Sequence, residues 1–368
     1  MVLDFSIINE KQYLNNIPSF MGKKVDSDNR FYNEDDFYNI LKIDAHAHLR
    51  TRDSYFIEQA KAHNFKLLCI VVDDKSTRDH IKEQYDYIIH HRSNFPADIE
   101  FITSFSMKDF NKNNWLENTL EWINYTLEKG ASGVKIWKNI GMVEMDRDGS
   151  FIMIDDPRFD PLFGSLSDRG IPVAGHIGEP KNCWLPLEEM TTINEREYFK
   201  NNPQYHMYNY PDLPSYEDQI MPLERMLERN PGLKYVGLHL ASLEWDVDEL
   251  ASRLERFPNM AVDLAERMGQ LFYQAGSDRE KVRDFIIKYQ DRILYGTDII
   301  ASDDLTDNPA LLAGWQQDIW LTDWLFFTSD KKMTSRFVNN EFFGLRLPKD
   351  VVDKIYFRNA VNWYSIFN

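Results

Sequence analysis

The sequence predicts an α/β chain wound as one (β/α)8 barrel of the TIM type, with an N-terminal extension and long loops after strands five and eight. Three observations lead there. From residue 42 onward, short β-rich apolar runs alternate with stretches of helical period. The strand candidates number eight, as a closed barrel requires. After the first of them stands Asp44-Ala45-His46-Ala47-His48, where a doubly wound sheet carries a glycine-rich phosphate loop.

The strand candidates are 42–47, 67–72, 100–105, 132–137, 171–176, 234–239, 259–264 and 292–297. Helices are expected near 52–64, 75–91, 114–129, 158–169, 217–230, 245–257 and 273–289. Lys129-Gly130 and Arg169-Gly170 put a basic residue and a glycine at helix ends, and Asn230-Pro231-Gly232 forces a stop. Residues 1–41 are polar and read as an extension, helical near 33–40, ahead of a barrel domain at 42–368. The connections 177–216 and 299–330 are long, and the second holds Trp315, Trp320, Trp324 and Phe326-Phe327. Loops after barrel strands sit on the catalytic face, so both segments are candidates for substrate walls, a subunit contact or plain packing additions.

Bulk composition narrows the function classes. The chain has 368 residues, 43% hydrophobic and 27% charged, as in globular proteins. A net charge of -17 without a Lys/Arg block argues against nucleic acid as partner and leaves a small molecule. Cys69 and Cys183 are far apart and the only two, which excludes a cysteine zinc knuckle and argues against a disulfide scaffold; Cys69 reads as a buried hydrophobe. No run approaches 18 apolar residues, so no membrane span is expected. Met1-Val2-Leu3-Asp4 lacks the basic and apolar regions of a signal peptide, and a cytoplasmic location is the expectation. Homo-oligomerisation is left open.

The chemistry-bearing residues gather at strand ends. His46 and His48 are two apart in a strand, so both imidazoles face one point. His176 ends strand five, His239 ends strand six and Asp298 follows strand eight. Barrel closure brings these ends together. Neutral imidazoles with a carboxylate suit a divalent cation, Zn²⁺ first, with Mn²⁺ or Fe²⁺ tolerated. Of the other histidines, His63, His80, His90 and His91 read as surface or helix-capping residues, and His206 as a loop residue within reach of substrate. Arg50, Arg52 and Lys138 are candidates for an anionic substrate. Glu179 could orient His176 or meet a substrate hydroxyl. A glycosidase barrel would show paired carboxylates; acidic strand ends such as Asp263 exist, but histidines outnumber them.

At these residues the sequence resembles the amidohydrolase superfamily, in particular its amidohydrolase-2 branch of metal-dependent hydrolases and decarboxylases. The matching pieces are Ile43 to His48, Gly133-Val134-Lys135-Ile136, Ala174-Gly175-His176, Gly237-Leu238-His239, Tyr295-Gly296-Thr297-Asp298 and the closing stretch from Leu347 to Ala360. The resemblance covers about 42–367. It implies one metal ion held by His46, His48, His176 and Asp298, with a second ion open. His239 then either binds that second ion or contacts substrate and bound water. Lys135 could be carboxylated and bridge two ions, stand unmodified near substrate, or be structural. The favoured reading is a hydrolase of a small amide, ester or lactone, with Asp298 as base, His239 on the oxyanion and Lys135 in the catalytic group. The alternatives are a non-oxidative decarboxylase of an aromatic or unsaturated acid, and a non-catalytic ligand-binding barrel.

Overall fold

The computed structural model describes residues 30–303 and 309–367, with the side chains of 309–313 and 315 left out. Of the N-terminal extension, residues 1–29 lie outside the described residues. The remainder carries one short 3-10 turn, Asp35–Tyr38, where a helix was expected.

The sheet runs β1 (Lys42–Arg50), β2 (Phe65–Ile70), β3 (Ile99–Ser104), β4 (Ala131–Ile136), β5 (Val173–Gly175), β6 (Tyr235–Gly237), β7 (Met260–Asp263), β8 (Ile293–Leu294) and β9 (Ile299–Ser302). Neighbours pair in chain order, every pairing is parallel, and β9 returns to β1. The eighth barrel strand is thus broken in two: β8 pairs with β7 and β9 with β1. Across the break, Ala45 N–H donates to Tyr295 O at 2.9 Å and Asp298 N–H to His46 O at 2.7 Å, which carries the curled sheet back onto β1.

Alternation along the strands sorts the apolar residues into two cores. Leu68, Ile70, Ile102, Ala174, Val236, Ala261 and Leu294 pack together with Ile43 and Ala45, and Ala360 and Tyr364 of the last helix join them. Leu67, Cys69, Phe101 and Val134 belong to the larger core beneath the helices. Cys69 is fully buried, as its apolar run predicts.

Helices fill the connections: Tyr55–Ala62, Arg78–Asn94, Trp115–Glu128, Asp160–Asp168, Tyr216–Arg229 and Val247–Arg256. Ser215 and Asp218 close a reciprocal capping box at the start of the fifth of these. The single helix expected at 273–289 is two, Met268–Ser277 and Arg279–Lys288. Asp278 separates them in an extended conformation and caps the second by accepting from Lys281 N–H at 3.0 Å.

Both long connections have structure of their own. Residues 177–216 fold into short turns and the helix Ile193–Asn201, around a satellite core of Cys183, Met190, Phe199 and Met207. The segment after strand eight is largely the helix Pro309–Thr328. Its Trp320 stacks on Phe65 at 4.5 Å and is fully buried with Trp324, so these two tryptophans are packing residues and not substrate walls. The closing helix Asn359–Tyr364 is tied to the barrel by Asn359, whose Nδ2 donates to Gln290 O and Ile293 O, both at 2.7 Å.

Candidate metal centre

β1 delivers His46 and His48, and each ring is fixed from behind. His46 Nδ1 lies 2.7 Å from Asp263 Oδ2, and His48 Nδ1 lies 2.7 Å from Ile70 O. A carbonyl accepts only from N–H, so the neutral His48 ring carries its proton on Nδ1 and turns Nε2 toward the strand ends. His239 repeats the device, with Nδ1 2.9 Å from Ala265 O. The Nε2 atoms of these rings converge on Asp298: His46 at 3.2 Å and His48 at 2.9 Å from Oδ1, His239 at 3.8 Å from Oδ2.

The backbone is bent to achieve this. Asp298 has φ 65° and lies in the break of the eighth strand. Gly296 beside it permits the close approach, because a Cβ there would stand 2.8 Å from the His46 Cβ. His239, Leu240, Ala241 and Ser242 all have positive φ, a left-handed turn without glycine. Each such residue costs about 1–2 kcal/mol. The turn is held by Asp263 Oδ1 accepting from His239 N–H at 2.6 Å and by Ser242 Oγ donating to Ile177 O at 2.8 Å. Strain of this kind, over-determined by its surroundings, is characteristic of functional sites.

Electrostatics follow the geometry. Burial disfavours the charged form of His46, but Asp298 and Asp263 outweigh it and push its pKa up to about 9. Burial brings His48 down to about 4 and holds His176 and His239 well below the usual range. Burial works against the Asp298 carboxylate too, yet His46 and His48 more than compensate and keep it well below the ordinary carboxylate range. His46 and Asp298 therefore form a buried ion pair whose proton a divalent cation can replace.

The donor set fits such a cation. Nε2 of His46, Nε2 of His239 and both nitrogens of His176 are buried without a hydrogen-bond partner. Three groupings offer ligand atoms within 4.8 Å of one another: His46 with His48 and Asp298; His239 with Glu266 and Asp298; His46 with His239 and Asp263. His176 belongs to none of them. Its ring lies 4.2 Å from that of His239 and meets Trp137 edge-on at 4.9 Å.

The other expected residues scatter. Lys135 is at the site: fully buried on β4, its Nζ lacks a hydrogen-bond partner, and burial lowers it to about 7. Lys138 and Glu179 form an ion pair, so Glu179 meets Lys138 rather than His176. Arg50 pairs with Asp74 at 2.8 Å, and Asp74 also takes His80 at 2.7 Å. Arg52 is at the surface beside His90. His91 is not a surface residue: it is buried, with Nε2 2.8 Å from Thr51 O. His206 is a structural loop residue, stacked on Phe199 with Nε2 2.8 Å from Leu185 O.

Two carboxyls beside the histidines were given no site role from the sequence. Asp263 ends β7, a strand-end position noted from the sequence only as a glycosidase-type acid and not as a partner of the histidines. Glu266 has φ 55°, and nothing in its sequence neighbourhood announces it. Burial first, and the nearby Asp298 charge second, push Glu266 up to about 7.

A curled parallel sheet with buried histidines and an aspartate at its strand ends defines a metal-dependent barrel enzyme acting on small organic molecules. The amidohydrolase family model matches residues 43–366, and the chain belongs to that family, in its amidohydrolase-2 branch. No curated protein sequence gives a significant match. Among solved structures, a dihydroxybenzoic acid decarboxylase from Polaromonas sp. JS666, with bound manganese and the inhibitor 2-nitroresorcinol, is 14% identical; the match covers 89% of this chain and 98% of that one at TM-score 0.53. A 2,6-dihydroxybenzoate decarboxylase from Rhizobium is 14% identical over 89% of this chain and 99% of that one, at TM-score 0.51. A probable 2-pyrone-4,6-dicarboxylic acid hydrolase from Acinetobacter baumannii, with citric acid bound, is 10% identical over 89% and 100%, at TM-score 0.47. At these identities the likeness is one of fold. Among the described residues, no helix is long and apolar enough to cross a membrane.

Proposed function

We propose that this chain is a metal-dependent decarboxylase that releases CO2, without net oxidation, from a small aromatic or unsaturated carboxylic acid, with residues 42–368 as the catalytic unit. The sequence alone favours hydrolysis; Trp137 moves the choice. This half-buried ring follows β4, packs on His176, and carries the ammonium groups of Lys135 and Lys138 over it at 5.3 and 5.0 Å. An aromatic wall with cations, beside a His/Asp cation set, suits a planar anion. In a simple aromatic acid the bond open to such a site is the one between ring carbon and carboxyl. The two decarboxylases named above point to the same substrate class.

His46, His48 and Asp298, with His176, would hold the ion, zinc first and manganese or iron next. When bound, it supplies Lewis acidity that fixes a substrate oxygen and offsets the charge left on the ring. Lys135, poised near neutrality by burial, takes a proton when the anionic substrate arrives and pairs with its carboxylate. Asp298 Oδ2 is the oxygen turned away from His46 and His48. Ionised at rest, Asp298 would take a proton from solvent water at Oδ2 and pass it to the ring carbon as the C–C bond breaks and CO2 leaves. Asp298 is then again the ionised carboxylate it was at the start.

The test is a panel of dihydroxybenzoates, unsaturated acids, lactones and amides, assayed with metal-loaded protein in H₂¹⁸O. CO2 release without ¹⁸O in the organic product is expected. An acid product that carries ¹⁸O restores the hydrolase reading. No turnover of any substrate by fully loaded protein favours a ligand-binding barrel.

A further inference from the structure

Asp44 stands two residues before His46 on β1 and is fully sealed from solvent. A carboxylate buried in this way must be met by donors, and both of its oxygens are. Oδ1 accepts from His46 N–H at 3.2 Å and from Thr297 N–H at 3.0 Å, and Oδ2 accepts from the Thr297 hydroxyl at 2.6 Å. Thr297 is the residue immediately before Asp298. The return link is Asp298 N–H donating to His46 O at 2.7 Å. Asp44, Thr297, Asp298 and His46 are thus closed into one ring that spans the seam between β1 and the broken eighth strand. The Thr297 hydroxyl also accepts from Ile299 N–H at 3.2 Å, so one side chain bridges Asp44 to the far flank of Asp298. Asp298 needs such a clasp, because its φ of 65° is disfavoured for a residue with a Cβ. β1 needs it too. Asp44 pairs with Leu67 but Ala47 with Cys69, so β1 carries one residue more than β2 across this stretch. A bulge of that kind re-aims a side chain, and the ladder to β2 does not by itself fix His46.

We propose that Asp44 and Thr297 are positioning residues, which hold Asp298 in its left-handed conformation and set the spacing between His46 and the Asp298 carboxylate. Both act through the residues they hold. This rests on the reading that His46, His48 and Asp298 hold the ion. Two of the four bonds made by Asp44 and Thr297 use only main-chain N–H groups as donors to Oδ1, and these survive a change of the Thr297 side chain. The other two run through the hydroxyl, which is therefore the part that can be removed alone. Thr297→Val keeps the branched shape without the hydroxyl. Thr297→Ser keeps the hydroxyl and drops a methyl.

The full chain is stripped with chelator and titrated with Mn²⁺ by calorimetry, a readout that needs no substrate. Thr297→Val should bind Mn²⁺ about 10–100-fold more weakly than the parent, and Thr297→Ser within about threefold of it. A bond that only stabilises the fold would lower the melting temperature of the stripped protein and leave the affinity of the folded form unchanged. Parental affinity in Thr297→Val therefore overturns the positioning role alone. A Thr297→Ser variant as weak as Thr297→Val also overturns it, since the loss would then follow the methyl and not the hydroxyl. A parent that binds no Mn²⁺ overturns the reading of the ion site and the positioning role with it. Should circular dichroism show that Thr297→Val does not fold, Thr297→Ala is compared with Thr297→Ser, a pair that differs only in the hydroxyl. Equal Mn²⁺ affinity in that pair counts against the proposal, and a loss of about tenfold or more in Thr297→Ala supports it.

Discussion

His46 Nδ1 lies 2.7 Å from Asp263 Oδ2, and both side chains are sealed from solvent. The other Asp263 oxygen accepts from the His239 N–H, so one carboxylate aligns two strand-end histidines. Asp263→Asn preserves the shape but has only one acceptor oxygen, and its NH₂ must face one of two N–H groups. Cation affinity should fall about 10–100-fold with the fold intact. Calorimetric titration of the chelated protein measures this; an affinity within twofold of the parent would show that Asp263 orients nothing.

Asp298→Asn tests the proton carrier. It retains one oxygen for the cation but cannot hand over a proton. If Asp298 Oδ2 is the donor, kcat should fall about 10²–10⁴-fold. Cation affinity should fall less, because the histidines remain. Near-normal kcat under saturating metal would move the proton transfer to another group.

Lys42 offers a pH-dependent stability signature remote from the histidines. It is fully buried at the start of β1, donates to Phe37 O and to Ile40 O, and is lowered by burial to about 7. Below pH 7 both folded and unfolded chains hold the proton, and the full cost of burying the charge is borne. Between pH 7 and the ordinary lysine range near 10.4, the unfolded chain binds the proton that the folded chain has lost. Stability from this group therefore rises with pH across that window, by a few kcal/mol at most. Lys42→Met should flatten the rise in unfolding free energy between pH 6.5 and 9.5. Parallel profiles for variant and parent would refute the assignment.

Asn359 is a mechanical tie with a local readout. Asn359→Ala leaves Gln290 O and Ile293 O without their donor, at a cost of about 1–3 kcal/mol. Denaturant melts should show the midpoint shifted with an unchanged slope. A shift under 0.5 kcal/mol would mean that water replaces the amide without penalty.

The strands were legible because a barrel strand is buried on both faces and reads as an apolar run. β2, β3 and β4 begin and end within two residues of expectation. The eighth strand was less so, since its break at Tyr295–Asp298 is made by hydrogen bonds to β1 and not by a turn motif. The split at Asp278 was hidden because an isolated aspartate in a helical pattern signals a cap only once the first helix is known to stop. His46, His48, His239 and Asp298 were visible from strand-end position alone. Glu266 and the left-handed turn at His239 were not: those conformations are imposed by tertiary contacts on residue types that do not favour them.

The seam between β1 and the broken eighth strand has a consequence for how the site responds to heat. His46 and Asp298 are joined by a main-chain hydrogen bond of 2.7 Å, and β1 is nine residues long, so this side of the ring is stiff. β5 and β6, which carry His176 and His239, have three residues each. With fewer ladder hydrogen bonds, that arc is expected to yield first on heating. The expected outcome on warming is a KM that rises before cation is lost, checked by measuring KM and metal content of the loaded protein against temperature.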